Sequence, residues 1–287
     1  MLALPPLAAE EIIIINNFTV TNTFINAGLT VIGFAVFAFF INLGVRKYYK
    51  AGKAPKGLLN FFEGTLEMLL GYFDQVTHSR AKSIKFLPLV GTLFFFIVVS
   101  NWIGLLPGIG SIGIHKFVHG ELELIPLFRP ANTDLNMTIA MAVVAVVTSH
   151  VLGVAAIGFF KYANKFIKLG DIYHAVKSFN PVKILTAVVE FFVGLIEIFS
   201  EVAKVVSLSL RLFGNVFAGE VLLTVIGSLI AYFVPLPFIA LEIIVGVVQA
   251  TVFAMLTLVY LTIATTEIKE HDSHGKETGD LQATPSV

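Results

Sequence analysis

The strongest restriction on this chain is an apolar run too long for the place it belongs. From Lys183 to Phe233 the sequence is apolar apart from isolated polar positions. As one helix, about fifty residues would reach roughly 75 Å. The hydrocarbon core of a bilayer is only about 30 Å thick. No proline falls between Val182 and Val234, so a sharp break is not signalled, while Gly194, Gly214 and Gly219 permit bending. The run must therefore tilt steeply, lie partly in the membrane plane, or break into two spans. "VPLP" (234–237) makes a turn, and a second apolar stretch from Phe238 returns. Residues 183–266 are thus expected to form a long helical hairpin, followed by a charged tail over 267–287.

The rest of the chain is of the same kind. Of its residues, 56% are hydrophobic and 13% charged, far more apolar sequence than a soluble core requires. The 27 phenylalanines suit lipid-facing helices. Net charge is zero, which gives no basis for a nucleic-acid partner. Cysteine is absent, so disulfides and thiolate metal sites are excluded. His115 and His119 have ligand-like spacing but lie in a polar stretch, a poor metal cage. No metal and no cofactor are expected.

Further spans follow from the apolar runs. Thr23 to Val45 is the first (23–45), with Arg46, Lys47, Lys50, Lys53 and Lys56 after it. By the positive-inside rule that basic loop is cytoplasmic and the N-terminus outside. In Gly57 to Thr77 (57–77), Glu63, Glu67 and Asp74 share one helical face opposite Leu, Phe and Met, as in an amphipathic helix at the inner interface. Phe86 to Leu106 (86–106) runs outward and ends at "LLPG". Asp134 to Phe160 (134–160) returns, with Asn132 or Thr133 as N-cap and Asp134 favouring the positive end of the helix dipole. Lys161, Lys165, Lys168, Lys177 and Lys183 then mark a second cytoplasmic loop, which also puts the C-terminus inside. The expected fold is an all-α integral membrane protein. It has about five membrane helices, one interfacial helix and the tilted hairpin, in a single membrane domain over 1–287.

The polar residues of the hairpin's first arm are ordered. At 100° per residue, Glu190, Glu197, Glu201, Lys204, Arg211 and Asn215 fall within about an 80° sector. Glu220 lies nine residues after Arg211, on the opposite side. On the return arm Glu242 and Gln249 share a face. Guanidinium keeps its proton, and an arginine in mid-membrane costs at least about 2.5–3.5 kcal/mol. Arg211 has no acid within one turn. It therefore either pairs inside the bundle, with Glu242 the open choice, or faces a carboxylate on another protein. Glu220 and Glu242 can pair with each other or line water as proton relays. Acids at two depths with a fixed cation between them suggest two separate polar routes. His150, beside Thr148 and Ser149, is expected to be a hydrogen-bonded packing residue.

"SLSLRLFGNVFAGE" (207–220), followed by "VVQATVFAMLTLVYL" (247–261), resembles subunit a of the F-type rotary ATP synthases in their bacterial form. "GLLPG", "RPANTDLN" and "IEIFSEVAKVVSLSLRLFGN" (196–215) carry the same resemblance, which covers nearly the whole chain after about residue 20. The resemblance implies a stator beside a rotating ring of c subunits, with the hairpin packed obliquely on the ring. Arg211 would attract the ionised ring carboxylate, flanked by Asn215 and Gln249. Glu220 and Glu242 would line the outer half-channel, and Glu197, with Ser200 and Ser207, the inner one. Peripheral-stalk b subunits, the remainder of the synthase and the lipid bilayer are the other implied partners. ATP chemistry would lie on other subunits. The membrane implied is the bacterial plasma membrane. The alternative class is a self-contained ion-coupled secondary transporter, for which internal repeats would be expected.

Overall fold

The computed structural model describes residues 6, 9–15, 18–50, 52, 56–106, 108–109, 112–118, 121–166, 181–230 and 233–266. The charged tail, His119 and the loop over 167–180 lie outside them. Two short strands, β1 (Glu11–Ile15) and β2 (Phe18–Thr21), precede helix α1 (Asn22–Lys50). Helices α2 (Leu58–Thr77) and α3 (Arg80–Leu105) follow. A second hairpin, β3 (Gly113–Val118) and β4 (Glu121–Pro126), leads through a 3-10 turn (Ala131–Thr133) into α4 (Leu135–Ile157) and α5 (Phe159–Phe166). The chain closes with α6 (Pro181–Leu229) and α7 (Pro235–Thr265). Both hairpins are antiparallel.

The protein is an all-α integral membrane protein carrying two small β-hairpins. Among the described residues four helices, α1, α3, α4 and α7, are long and apolar enough to cross a bilayer. Helix α6 is one unbroken element of 49 residues. Helices satisfy their own backbone hydrogen bonds, which the hydrocarbon interior demands.

Packing is centred on α7, which lies against α3 and α4, while α4 also lies against α6. The residues at these contacts recur at helical spacing and are mostly small. On α4 they are Ala142, Ala145, Ser149 and Gly153, and on α7 Gly246, Ala250, Ala254 and Thr257. Small side chains let helix backbones approach closely, which is how helices associate where lipid is as apolar as leucine. Larger residues fill the remaining space, with Phe73, Val90, Ile97, Leu208, Leu212, Phe253, Leu258 and Leu261 all buried. Helix α1 is peripheral, and Val31, Ile32, Phe39, Phe40 and Leu43 point outward.

Several boundaries differ from the sequence expectation. The helix expected over 86–106 starts six residues earlier, at Arg80. It is joined to α2 by a tight corner at His78, whose φ is 50°. There Arg80 Nη1 donates to Asp74 Oδ2 at 2.8 Å, and the Thr77 and Ser83 hydroxyls share a bond of 2.7 Å. The Ser83 hydroxyl, and then Arg80, hold the Asp74 carboxyl below the usual carboxylate range against the opposing effect of burial. The segment expected over 134–160 is cut at Gly158, where φ is 96°, and α5 sets off separately. "VPLP" belongs to the first turn of α7, where proline's missing N–H costs nothing. The cap of α4 is Asp134, not Asn132 or Thr133: its Oδ1 accepts from Asn136 N at 2.9 Å. Asn132 is instead buried and donates to Asn101 Oδ1 at 2.6 Å.

Candidate functional site at the two ends of the long helix

The C-terminal half of α6 faces a cavity of about 940 Å³ lined by elements far apart in sequence. Helix α6 contributes Asn215 and Glu220, α7 contributes Glu242 and Gln249, and α3 contributes Asn101. Glu10 and Glu11 from the N-terminal segment, Lys116 from β3, and Arg129 complete the polar lining. Four of the residues singled out in the sequence, Asn215, Glu220, Glu242 and Gln249, therefore share one chamber.

Within it, Asn215 Nδ2 donates to Gln249 Oε1 at 2.5 Å, tying the two arms together. Gln249 is 4% exposed, and its Nε2 has no protein partner among the described residues. The Glu242 carboxyl lies against Gly219, in the space a Cβ at 219 would fill.

Glu220 is not paired with Glu242. Its oxygens accept from Arg129 Nε at 3.0 and 3.2 Å and from Nη2 at 2.9 Å. Arg129 lies between β4 and the 3-10 turn. In the fold it is 3% exposed, and its Nη2 also donates to the Pro6 carbonyl at 2.7 Å. Its position is fixed from behind, because Asn26 Nδ2 donates to the Arg129 carbonyl at 2.8 Å. The signal available in the sequence was the arginine directly before Pro130, where the chain re-enters the membrane.

The N-terminal half of α6 carries a second polar cluster. Lys204 Nζ donates to Glu201 Oε1 at 2.6 Å and lies 5.1 Å from the centre of the Tyr260 ring. His150 Nε2 is 3.5 Å from Glu201 Oε2, and its Nδ1 shares a hydrogen bond of 2.7 Å with the Tyr162 hydroxyl. Tyr162, on α5, is buried, and its phenol is pushed up to about 12 by burial and then by the Glu201 and Glu197 charges. It stays protonated and can donate to an unprotonated His150. His150 is hydrogen-bonded, and it also reaches an acid of the stripe. Tyr162 carried no signal in the sequence. Glu197 is half-buried, whereas Ser200 and Ser207 lie on the exposed face of α6.

Arg211 belongs to neither cluster. It is exposed, and among the described residues no carboxylate forms an ion pair with it. Glu242, the open internal choice, does not pair with it. Around it on the same exposed face stand small residues, Ala203, Ser207, Gly214 and Ala218. No group of residues able to hold a metal occurs among those described.

Comparison with known proteins gives this arrangement a lineage. The profile of the ATP synthase A chain family matches residues 27–262. A protein named ATP synthase subunit a from Campylobacter jejuni subsp. doylei is 34% identical over 217 residues, covering 76% of this chain and 80% of its own. Its namesake in Campylobacter curvus is 33% identical over the same shares. ATP synthase subunit a 2 of Syntrophotalea carbinolica is 31% identical over 232 residues, which are 81% of this chain and 83% of that protein. The matched region takes in both arginines, Glu220, Glu242 and the cluster around Glu201, and its extent establishes that the chain belongs to the ATP synthase A chain family.

Proposed function

We propose that the chain is the ion-conducting stator of a rotary ATP synthase, with two offset half-channels separated by Arg211. The observation that carries this is Arg211 itself, a permanent cation on the exposed face of α6 with no carboxylate partner among the described residues. An intramembrane charge without an internal partner marks a functional site by default. Its carboxylate is supplied by the ring of c subunits, and the small residues beside Arg211 allow a ring helix to approach closely. The cavity with Asn215, Glu220, Glu242 and Gln249 serves the outer side. Glu197, with Ser200 and Ser207, serves the inner side.

The work is electrostatic. A ring carboxylate arriving from the outer side is protonated, makes nearly a full turn through lipid, and meets Arg211 again from the inner side. There the guanidinium favours the ionised form, so the proton leaves inward. Moving one charge across 100 mV releases about 2.3 kcal/mol, and a fixed cation between the routes keeps a proton from short-circuiting them. In this reading the N-terminus is outside and the C-terminus cytoplasmic, in a bacterial plasma membrane. The chain also contacts the peripheral-stalk b subunits.

The test is Arg211→Ala in membrane vesicles holding the whole complex. Coupled ATP synthesis and ATP-driven proton pumping are expected to vanish while the complex still assembles. Coupled synthesis that persists would remove Arg211 from this role.

A further inference from the structure

The two outer glutamates share a cavity but not a situation. Glu220 receives the fork of Arg129 through both Nε and Nη2. Guanidinium does not deprotonate, and the Arg129 side chain is 2% exposed, so the Glu220 carboxylate serves as its counter-charge. The fork cannot swing away, because it is also tied to the Pro6 carbonyl and its backbone is held by Asn26. Glu242 comes from the opposite arm. It is half-buried and has no hydrogen-bond or ion-pair partner among the described residues. Gly219 leaves its carboxyl free space on α6. The other charged groups facing the cavity are Glu10, Glu11 and Lys116, from the N-terminal segment and β3.

We infer that Arg129 is a positioning residue that fixes Glu220 as a standing carboxylate, leaving Glu242 as the outer group that takes up and passes on protons. This rests on the outer-route reading above. Two carboxylates in one confined space resist ionising together, and a cation locked to one of them divides their roles. The proton moves from cavity water to a Glu242 oxygen and then toward Asn215, Gln249 and the ring carboxylate. Glu242 returns to its ionised form, and nothing is oxidised or reduced. Glu220 contributes a fixed negative charge that balances Arg129 and keeps the cavity from repelling cations.

The experiment is a pH titration of the intact complex by infrared difference spectroscopy, paired with ATP-driven pumping in proteoliposomes. In the wild type a carboxylic-acid signal should appear that Glu242→Gln removes and Glu220→Gln leaves. Arg129→Gln should add a second such signal, which Glu220→Gln in the same background deletes and which Arg129→Lys does not show. Pumping should fall about a hundredfold in Glu242→Gln, the scale of a lost positioned proton-transfer group. A wild-type signal that disappears in Glu220→Gln and survives in Glu242→Gln overturns the inference, as does an Arg129→Gln complex with no added signal. Where Arg129→Gln fails to assemble, the two glutamate variants decide alone. Expected spectra with undiminished pumping in Glu242→Gln would overturn the outer route and the relay role, while leaving Glu220 as the fixed charge.

Discussion

Arg129 and Arg211 sit on the same membrane protein and are treated in opposite ways. Arg129 is 3% exposed and is held by a glutamate, a carbonyl and a buried backbone contact. Arg211 is exposed and has no carboxylate partner among the described residues. Both cost free energy to place in an apolar setting. For Arg129 the cost is offset inside the chain, at a point where the fold supplies its Nε and Nη2 with acceptors. For Arg211 no carboxylate offsets it among the described residues, and in the proposed reading another molecule does so. An arginine held by internal acceptors holds structure in place, whereas one without an internal carboxylate is available to answer a charge that comes and goes.

That contrast can be broken in order of expected effect. Arg211→Ala should abolish coupled transport and leave assembly and thermal stability of the complex near wild type; a large loss of stability would mean that Arg211 is structural after all. Arg129→Ala should do the reverse first. It leaves Glu220, whose side chain is 23% exposed, without its cation and should destabilise the complex by about 1–3 kcal/mol, the scale for a group that loses its hydrogen-bond partner. Replacing both partners, Arg129→Met with Glu220→Leu, should restore much of that stability, which a thermal-unfolding double-mutant cycle would read.

A smaller effect is expected one turn beyond Arg211. Gln249→Leu removes the bond to Asn215 and should cost about 1 kcal/mol, with coupling that disappears in an Asn215→Ala background. The smallest lies at the α2–α3 corner. Asp74 is held below the ordinary range, so its contribution is present above its unfolded value and lost as pH falls through the folded one. Arg80→Ala should move that loss to higher pH without altering assembly, visible in melting temperature against pH.

Much of this was legible in the sequence because it depends on one helix at a time. Apolar length gave the spans, and 100° periodicity put Glu201, Lys204 and Arg211 on one side of α6. The structure's additions are contacts between segments. Arg129 and Glu220 are 91 positions apart, and no periodicity relates residues on different elements. His150 and Tyr162 are separated by the break at Gly158, which leaves α5 free to fold back. The β-hairpins were missed for another reason. "ELELIP" alternates with period two, but six residues beside long apolar runs are a weak strand signal. Cap assignment at Asn132 failed because burial against Asn101 outcompeted capping.

The distance between Arg129 and its anion is also an interval of time. A ribosome adding about 5–20 residues per second needs roughly 5–20 s to pass from one to the other. For that interval Arg129 is already in the chain while the carboxylate it will hold has not been made. The chamber is therefore closed only after α6 and then α7 have been made. A chain that stalls before Glu220 lacks the carboxylate that Arg129 will hold.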